Sequence, residues 1–390
     1  MTLISIGKID KNIIPIIIAC VFALLFKLLT KIDKIILFDH SIISNIYAAL
    51  SKLLSFIPFI ITKMRSKVVR EKDNEGYINN TVDTVEYIYY KVSKGVTKGK
   101  LKLIFLASTL FFIQGMILFF TLKLKINIWL SEIFIYCLFY YLIFKIKPYK
   151  HHYVSIILII LTGITLDLVS GNLQNDILTK WPSILLRILR EILYSLQDVI
   201  NKYIMEKKFC SVYELSFFEG IIYLILIGIF SIFNYFYFGI DDFEEYFKSF
   251  NYLELFVCIG FIIIQFGLEI SSLFTVKNNT PCHLFIISVF SQLIVYFDDF
   301  SVNHVAIIIC LIFILFMSLV YNEIIEINFF KLSENTKRNI MKRALMENME
   351  NCLNEDRNEF VSFDEDNEPN NCKTTFQLTG DSDDISQVYD

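Results

Sequence analysis

Ten apolar stretches, each about as long as a helix needs to cross a bilayer, occupy most of the chain between Ile13 and Tyr321, and almost nothing between them is long enough to fold by itself. A hydrocarbon core takes roughly 17 to 25 apolar residues in helical form, because backbone facing lipid in any other open form leaves peptide groups unbonded. The stretches therefore predict an all-α, polytopic membrane protein with helices near 13–29, 41–64, 102–122, 127–146, 153–170, 182–203, 213–236, 252–275, 282–297 and 303–322. Mean hydropathy of +0.54 and 55% hydrophobic residues lie outside the range of soluble domains and agree with that class.

Loop charges give an orientation. With both termini in the cytosol, cytosolic segments carry 24 Lys and Arg and the opposite side six, the asymmetry expected of cytosolic loops. Behind the sixth span the division is still nine to one, which favours ten crossings over nine. The opening residues place Lys8, Asp10 and Lys11 before an apolar run with no small-residue cleavage site, so the first helix is expected to remain as an anchor. The membrane itself, plasma or internal, does not follow.

Five spans, a connector at Ser170 to Trp181, and five more make two halves, 1–170 and 182–330. An odd number of spans per half inverts the second half relative to the first, the arrangement on which many secondary transporters build alternating access. The first half contains a cytosolic loop, 65–101, with basic ends that suit anionic lipid. Residues 331–390 form a cytosolic tail, disordered from about 344, where 13 acidic residues face only Arg357 and Lys373. Without that tail the body is basic, so the formal net charge of −4 says nothing of a solute.

Ionisable groups at membrane depth are costly and tend to face a bundle interior or an aqueous cavity. The sixth span, PSILLRILREILYSLQDVINKYIM, has most of them. At 100° per residue Arg187, Arg190, Glu191, Tyr194, Asp198, Asn201 and Lys202 share about a third of the helix surface, with Gln197 at its margin. Leu185, Ile188, Leu189, Ile192, Leu196 and Val199 take the other face. Two readings of the stripe follow: it lines a cavity, or it is neutralised locally by the i, i+4 pairs Arg187 with Glu191 and Asp198 with Lys202. Lys52, Gln114, Gln265, Glu269 and Gln292 lie deep in other spans and are expected to meet the stripe across a central cavity. Lys27, Glu132 and Asp167 lie near predicted span ends and are expected to reach the interface.

Other chemistry has little footing. The eight cysteines show no paired spacing, so neither disulfides nor a metal site is expected. His40, His151, His152, His283 and His304 fall at helix ends or in loops without a catalytic grouping, which speaks against an enzyme. No Walker-type glycine loop is present, and no cofactor or nucleic-acid partner is implied. The sequons at Asn79 and Asn278 fall on the cytosolic side and are expected to stay unmodified.

The run from Trp181 to Gly220, with LQDVINKYIMEKKFCSVYELSFFEG, and the closing LIFILFMSLVYNEIIEINFFKLSENTKRNI resemble the drug/metabolite transporter superfamily, in particular solute carrier 35F-like, EamA-type proteins. Asp198 to Lys202 and Tyr321 to Glu326 carry the resemblance best. It implies ten helices in two inverted five-helix halves, cytosolic termini, and transport of a small polar metabolite such as a nucleotide sugar, nucleotide or vitamin-like solute by rocking of the halves. A membrane receptor or scaffold acting through the cytosolic loop and tail is the competing expectation; deleting 344–390 separates the two.

Overall fold

The structure is a computed structural model that describes residues 4–6, 13–32, 41–64, 98–121, 132–145, 148–169, 177–238, 252–297, 302–327 and 346. The predicted loop between spans two and three, with its Asn79 sequon, and the acidic tail lie outside these residues, Met346 excepted.

Ten α-helices follow one another among the described residues: α1 (Ile14–Ile32), α2 (Ser41–Leu53), α3 (Lys98–Thr121), α4 (Glu132–Phe144), α5 (Lys150–Val169), α6 (Ile177–Lys207), α7 (Val212–Phe238), α8 (Tyr252–Asn278), α9 (Leu284–Phe297) and α10 (Val302–Tyr321). Each falls on one predicted apolar stretch. Four helical segments are long and apolar enough to cross a membrane by length and composition: Ile42–Met64, Lys98–Ile117, Val212–Phe236 and Leu255–Asn278. The chain is an integral membrane protein. At 31 residues α6 is long enough to span a bilayer, at about 1.5 Å per residue, but its polar stripe dilutes its hydropathy.

Burial follows the logic of a bundle in lipid. On α7, Leu215, Glu219, Tyr223 and Ile227 recur every four residues and are all buried. The opposite face carries Ile225, Ile229, Ile232 and Phe236, the last 76% exposed. Polar groups inside and large apolar groups outside invert the pattern of a soluble domain, and a hydrocarbon solvent removes the penalty for the exposed face.

Helix α1 packs on α8 and α9, α6 on α3 and α4, α2 on α7, α5 on α10, and α9 also on α10. The α3–α7 and α2–α8 contacts complete the centre. One apolar core joins α1, α3, α6, α7, α8 and α9, and a second joins α4, α5, α6, α9 and α10. Outside the helices, β1 (Ile4–Ile6) pairs antiparallel with β2 (Ile325–Ile327), Ile4 opposite Ile327. This ribbon brings the segment before α1 beside the segment after α10.

The second predicted helix, 41–64, is interrupted. Helix α2 ends at Leu53, residues 54–55 form a turn, and helix resumes over 56–64. Pro58 lacks the N–H that would bond the Leu54 carbonyl, and its ring crowds that carbonyl. Ser51 and Ser55 hydroxyls donate back to the carbonyls of Ala48 and Lys52, at 2.7 and 2.5 Å, easing the local backbone. The irregular turn therefore lies one residue beyond Lys52, after Leu53. At the far end of α6, Phe209 takes a left-handed φ of 49° while the Cys210 N–H reaches back to the Ile204 carbonyl at 3.3 Å, a turn that stops the helix without a glycine.

Candidate functional site

A cavity of about 370 Å³ opens between α1, α6, α8 and α9, with Phe111 of α3 at its edge. From α6 it receives Arg190, Glu191, Tyr194, Gln197, Asp198 and Asn201, on one face of the helix. Opposite stand Gln265 and Glu269 of α8 and Gln292 of α9. The stripe and the isolated polar groups of α8 and α9 are thus brought together around one space. Ser272, Ser288 and Ser291 add hydroxyls, and Ala23, Phe26 and Leu284 supply apolar wall.

Lys27 of α1, expected at the interface, belongs to the cavity lining instead. Helix α1 packs on both α8 and α9, and Lys27 lies at the cavity between them. The Glu132, Asp167 and Arg187 side chains lie outside the described residues, so the expected Arg187–Glu191 pair does too.

Three of the expected residues stand behind the wall rather than on it. Gln114 Nε2 donates to Gln197 Oε1 at 2.9 Å and so fixes the amide that faces the cavity. Lys52 is 1% exposed and sits between two carboxylates: its Nζ donates to Glu219 Oε2 at 2.9 Å and to Glu269 Oε1. It also lies 4.5 Å from the centre of the Phe111 ring, a cation–π contact. One ammonium thereby ties α2, α7 and α8 together at the depth of the cavity floor. Lys202 points away: its Nζ pairs with Glu206 Oε1 at 2.5 Å and donates to the Asn279 carbonyl at 2.6 Å, with the Val276 carbonyl at 3.5 Å. A cation on carbonyls at the end of α8 complements the helix dipole and pins α6 to α8 where the cavity closes.

The i, i+4 pair of Asp198 with Lys202, on which one of the two readings of the stripe rested, does not form. Asp198 Oδ2 accepts from the Tyr136 hydroxyl of α4 at 2.5 Å, and Lys202 is taken by Glu206 and the end of α8. A tertiary partner with an O–H aimed at the carboxyl outcompetes a flexible lysine on the same helix. Tyr136→Phe should therefore loosen α4 from α6, by about 1 to 3 kcal/mol, the cost of leaving a buried carboxyl oxygen without its partner. Denaturation of the purified protein in detergent, compared with wild type, measures it.

Two residues of this centre, Glu219 and Tyr136, were not anticipated. Glu219 stands inside the seventh predicted span, and its depth alone was a usable signal. Tyr136 carried none, being one of 21 tyrosines in an aromatic-rich chain.

A second polar cluster joins α5 to the residues after α10. Donor atoms of His151, His152 and Glu323 lie within 4.8 Å of one another, and His151 Nε2 is 3.2 Å from Glu323 Oε1. Three such donors can hold a metal ion in principle. However, His152 Nδ1 accepts the Tyr149 N–H at 2.9 Å. A neutral imidazole accepting there has its proton on Nε2 and no lone pair left for an ion. In the connector between α6 and α7, burial beside Glu214 raises the Cys210 thiol well above its ordinary range, which makes it an inert core group.

No protein-family model matches the chain, and no curated protein matches it.

Proposed function

We propose that this protein is a secondary transporter of a small polar solute, with ten membrane-spanning helices in two inverted halves and an alternating-access mechanism. The observation that carries this reading is the 370 Å³ cavity within the helix bundle, walled by helices of both halves and lined by charged and amide side chains. Its size lies in the range of small-molecule sites. Charges of both signs at that depth have a use when a polar solute must exchange its hydration for protein partners.

Part of the helix packing fits two related halves, although the α9–α10 contact has no α4–α5 counterpart of like extent among the described residues. Exchanging each helix of the first half with its counterpart in the second turns α1–α8 into α6–α3, α4–α6 into α9–α1, and α3–α7 into α8–α2; all six contacts occur. The α2–α7 and α5–α10 contacts map onto themselves. Such self-mapping is what a pseudo-two-fold axis through the α2–α7 and α5–α10 crossings produces. The paired ribbon of β1 and β2 agrees with termini on one side of the membrane, and the loop charges assign that side to the cytosol. The drug/metabolite transporter resemblance fits the same plan, with nucleotide sugars, nucleotides and vitamin-like solutes as the first classes to try.

Uptake by the purified protein in liposomes tests the reading. Saturable flux is expected for one solute class, and Arg190→Ala or Gln197→Ala should reduce it while leaving folded protein. Absence of saturable flux across nucleotide sugars, nucleotides, amino acids and vitamins would remove the reading. Wild-type kinetics in both variants would return the α6 stripe to a structural role.

A further inference from the structure

The charges at the cavity floor do not balance. Lys52 is the cation there, and three carboxyls surround its site: Glu219 and Glu269 in direct contact, and Asp198 across the floor on α6. The remaining cations near it are held at the end of α8 or line the cavity beside another acid. Lys202 is held by Glu206 and the carbonyls at the end of α8. Lys27 of α1 and Arg190 of α6 line the cavity together with the acid Glu191. Around the floor, α3 presents Gln114, α4 presents Tyr136, and α7 presents Tyr223, whose hydroxyl donates to Asn45 of α2 at 2.6 Å. None of these adds positive charge. With all three carboxyls ionised, Lys52 would face more negative charge than it can balance, and Glu219, at 1% exposed, would bear it out of reach of water.

A second observation singles out one oxygen. Glu219 is 1% exposed, its Oε2 is bonded to Lys52, and its Oε1 has no hydrogen-bond partner among the described residues. The Asn201 side chain of α6 lies beside this carboxyl. A buried carboxylate with an oxygen not held by its cation is expensive, and a proton added to it turns that acceptor into a donor.

We infer that the Glu219, Glu269 and Asp198 carboxyls share an exchangeable proton, with Lys52 as their fixed counter-charge, and that this proton couples solute transport to a pH gradient. The inference deepens the transport reading and rests on it for the coupling. Glu269 is the point of entry, because it faces the cavity and is 18% exposed while Glu219 is sealed. A hydronium in the cavity gives its proton to a Glu269 carboxylate oxygen and leaves water; the Lys52 ammonium then relies on Glu219 alone. When the cavity opens to the other side, the carboxylic acid returns its proton to water and the ion pair with Lys52 is restored. A sodium ion is disfavoured in this role, since the Lys52 ammonium already fills the space between the two glutamates.

Two measurements test it. Infrared difference spectra of the reconstituted full-length protein, stepped from alkaline to acid pH in light and heavy water with no solute present, should show the carbonyl band of a protonated buried carboxyl. That band should be lost or shifted in Glu269→Gln, with Glu219→Gln and Asp198→Asn as companions should one of the variants fail to fold. No titrating buried carboxyl in wild type, or the same band in all three variants, overturns the proton site. In the second measurement, wild-type liposomes take up the transported solute under an imposed proton gradient and under an imposed sodium gradient. Acceleration by the proton gradient alone is expected, and it should disappear in Glu269→Gln. Flux indifferent to the proton gradient, or driven by sodium, overturns the coupling. A titrating carboxyl without flux of any solute would leave the proton site standing and remove transport, whereas flux without a titrating carboxyl would do the reverse.

Discussion

Lys52→Met is expected to be the most destabilising single substitution in the membrane body, by about 3 to 5 kcal/mol, the usual loss when one partner of a buried ion pair is removed. The side chain is of similar length, so packing changes little. What changes is the company left behind: Glu219 and Glu269 lose their shared cation, and the Phe111 ring loses the charge above its face. The midpoint of denaturation of the purified protein in detergent measures the loss. The deficit should shrink as the pH falls, because a protonated glutamic acid needs no counter-charge. It should also be smaller in the double variant Lys52→Met, Glu219→Gln than the two single losses added together, since both substitutions act on one contact. Wild-type stability in Lys52→Met would mean that the glutamates are already neutral without it.

The sequence exposed the site's ingredients more readily than its connections. Ten helices could be read because each apolar run is its own evidence, and the α6 stripe could be read because helical spacing is a local property. Gln265, Glu269 and Gln292 could be read as cavity groups because polar side chains in apolar runs need a polar destination. The pairing of Lys52 with Glu219 spans 167 residues, and no local pattern encodes which of several buried acids a buried lysine will meet. The same limit explains Asp198. Spacing of four residues makes a bond to Lys202 possible, but the choice between that bond and Tyr136 is made by how α4 lies against α6. Lys27 was misplaced because nearness to a span end says how far a side chain is from water, and not whether that water fills an internal cavity. The break after Lys52 was legible in principle, since Pro58 within an apolar run signals an interrupted helix.

Gly220→Ala should cost about 1 to 3 kcal/mol, the scale of overpacking a close contact, although alanine is the better helix former. Gly220 lies in α7 where that helix crosses α2, and a Cβ there would sit 2.9 Å from Lys52 Cβ and 3.2 Å from the Lys52 carbonyl carbon and the Leu53 nitrogen. Two of those atoms are backbone, so no rotamer change relieves the clash and the helices themselves must part. Gly228, two turns further along the same helix, has nothing within 4 Å of its would-be Cβ. Gly228→Ala should therefore be neutral or stabilising by up to about 1 kcal/mol, and it isolates the crossing from the intrinsic helix propensity of α7. Thermal melts of the two variants in the same detergent decide the matter; equal melting would mean that α2 and α7 do not approach closely at Gly220. The contrast extends to function. In the proposed two-half arrangement the α2–α7 crossing is a contact between the halves, so a change there can bear on their relative motion. Spreading it also draws Lys52 away from Glu219, so Gly220→Ala should reduce flux beyond what its stability loss explains, and Gly228→Ala should not.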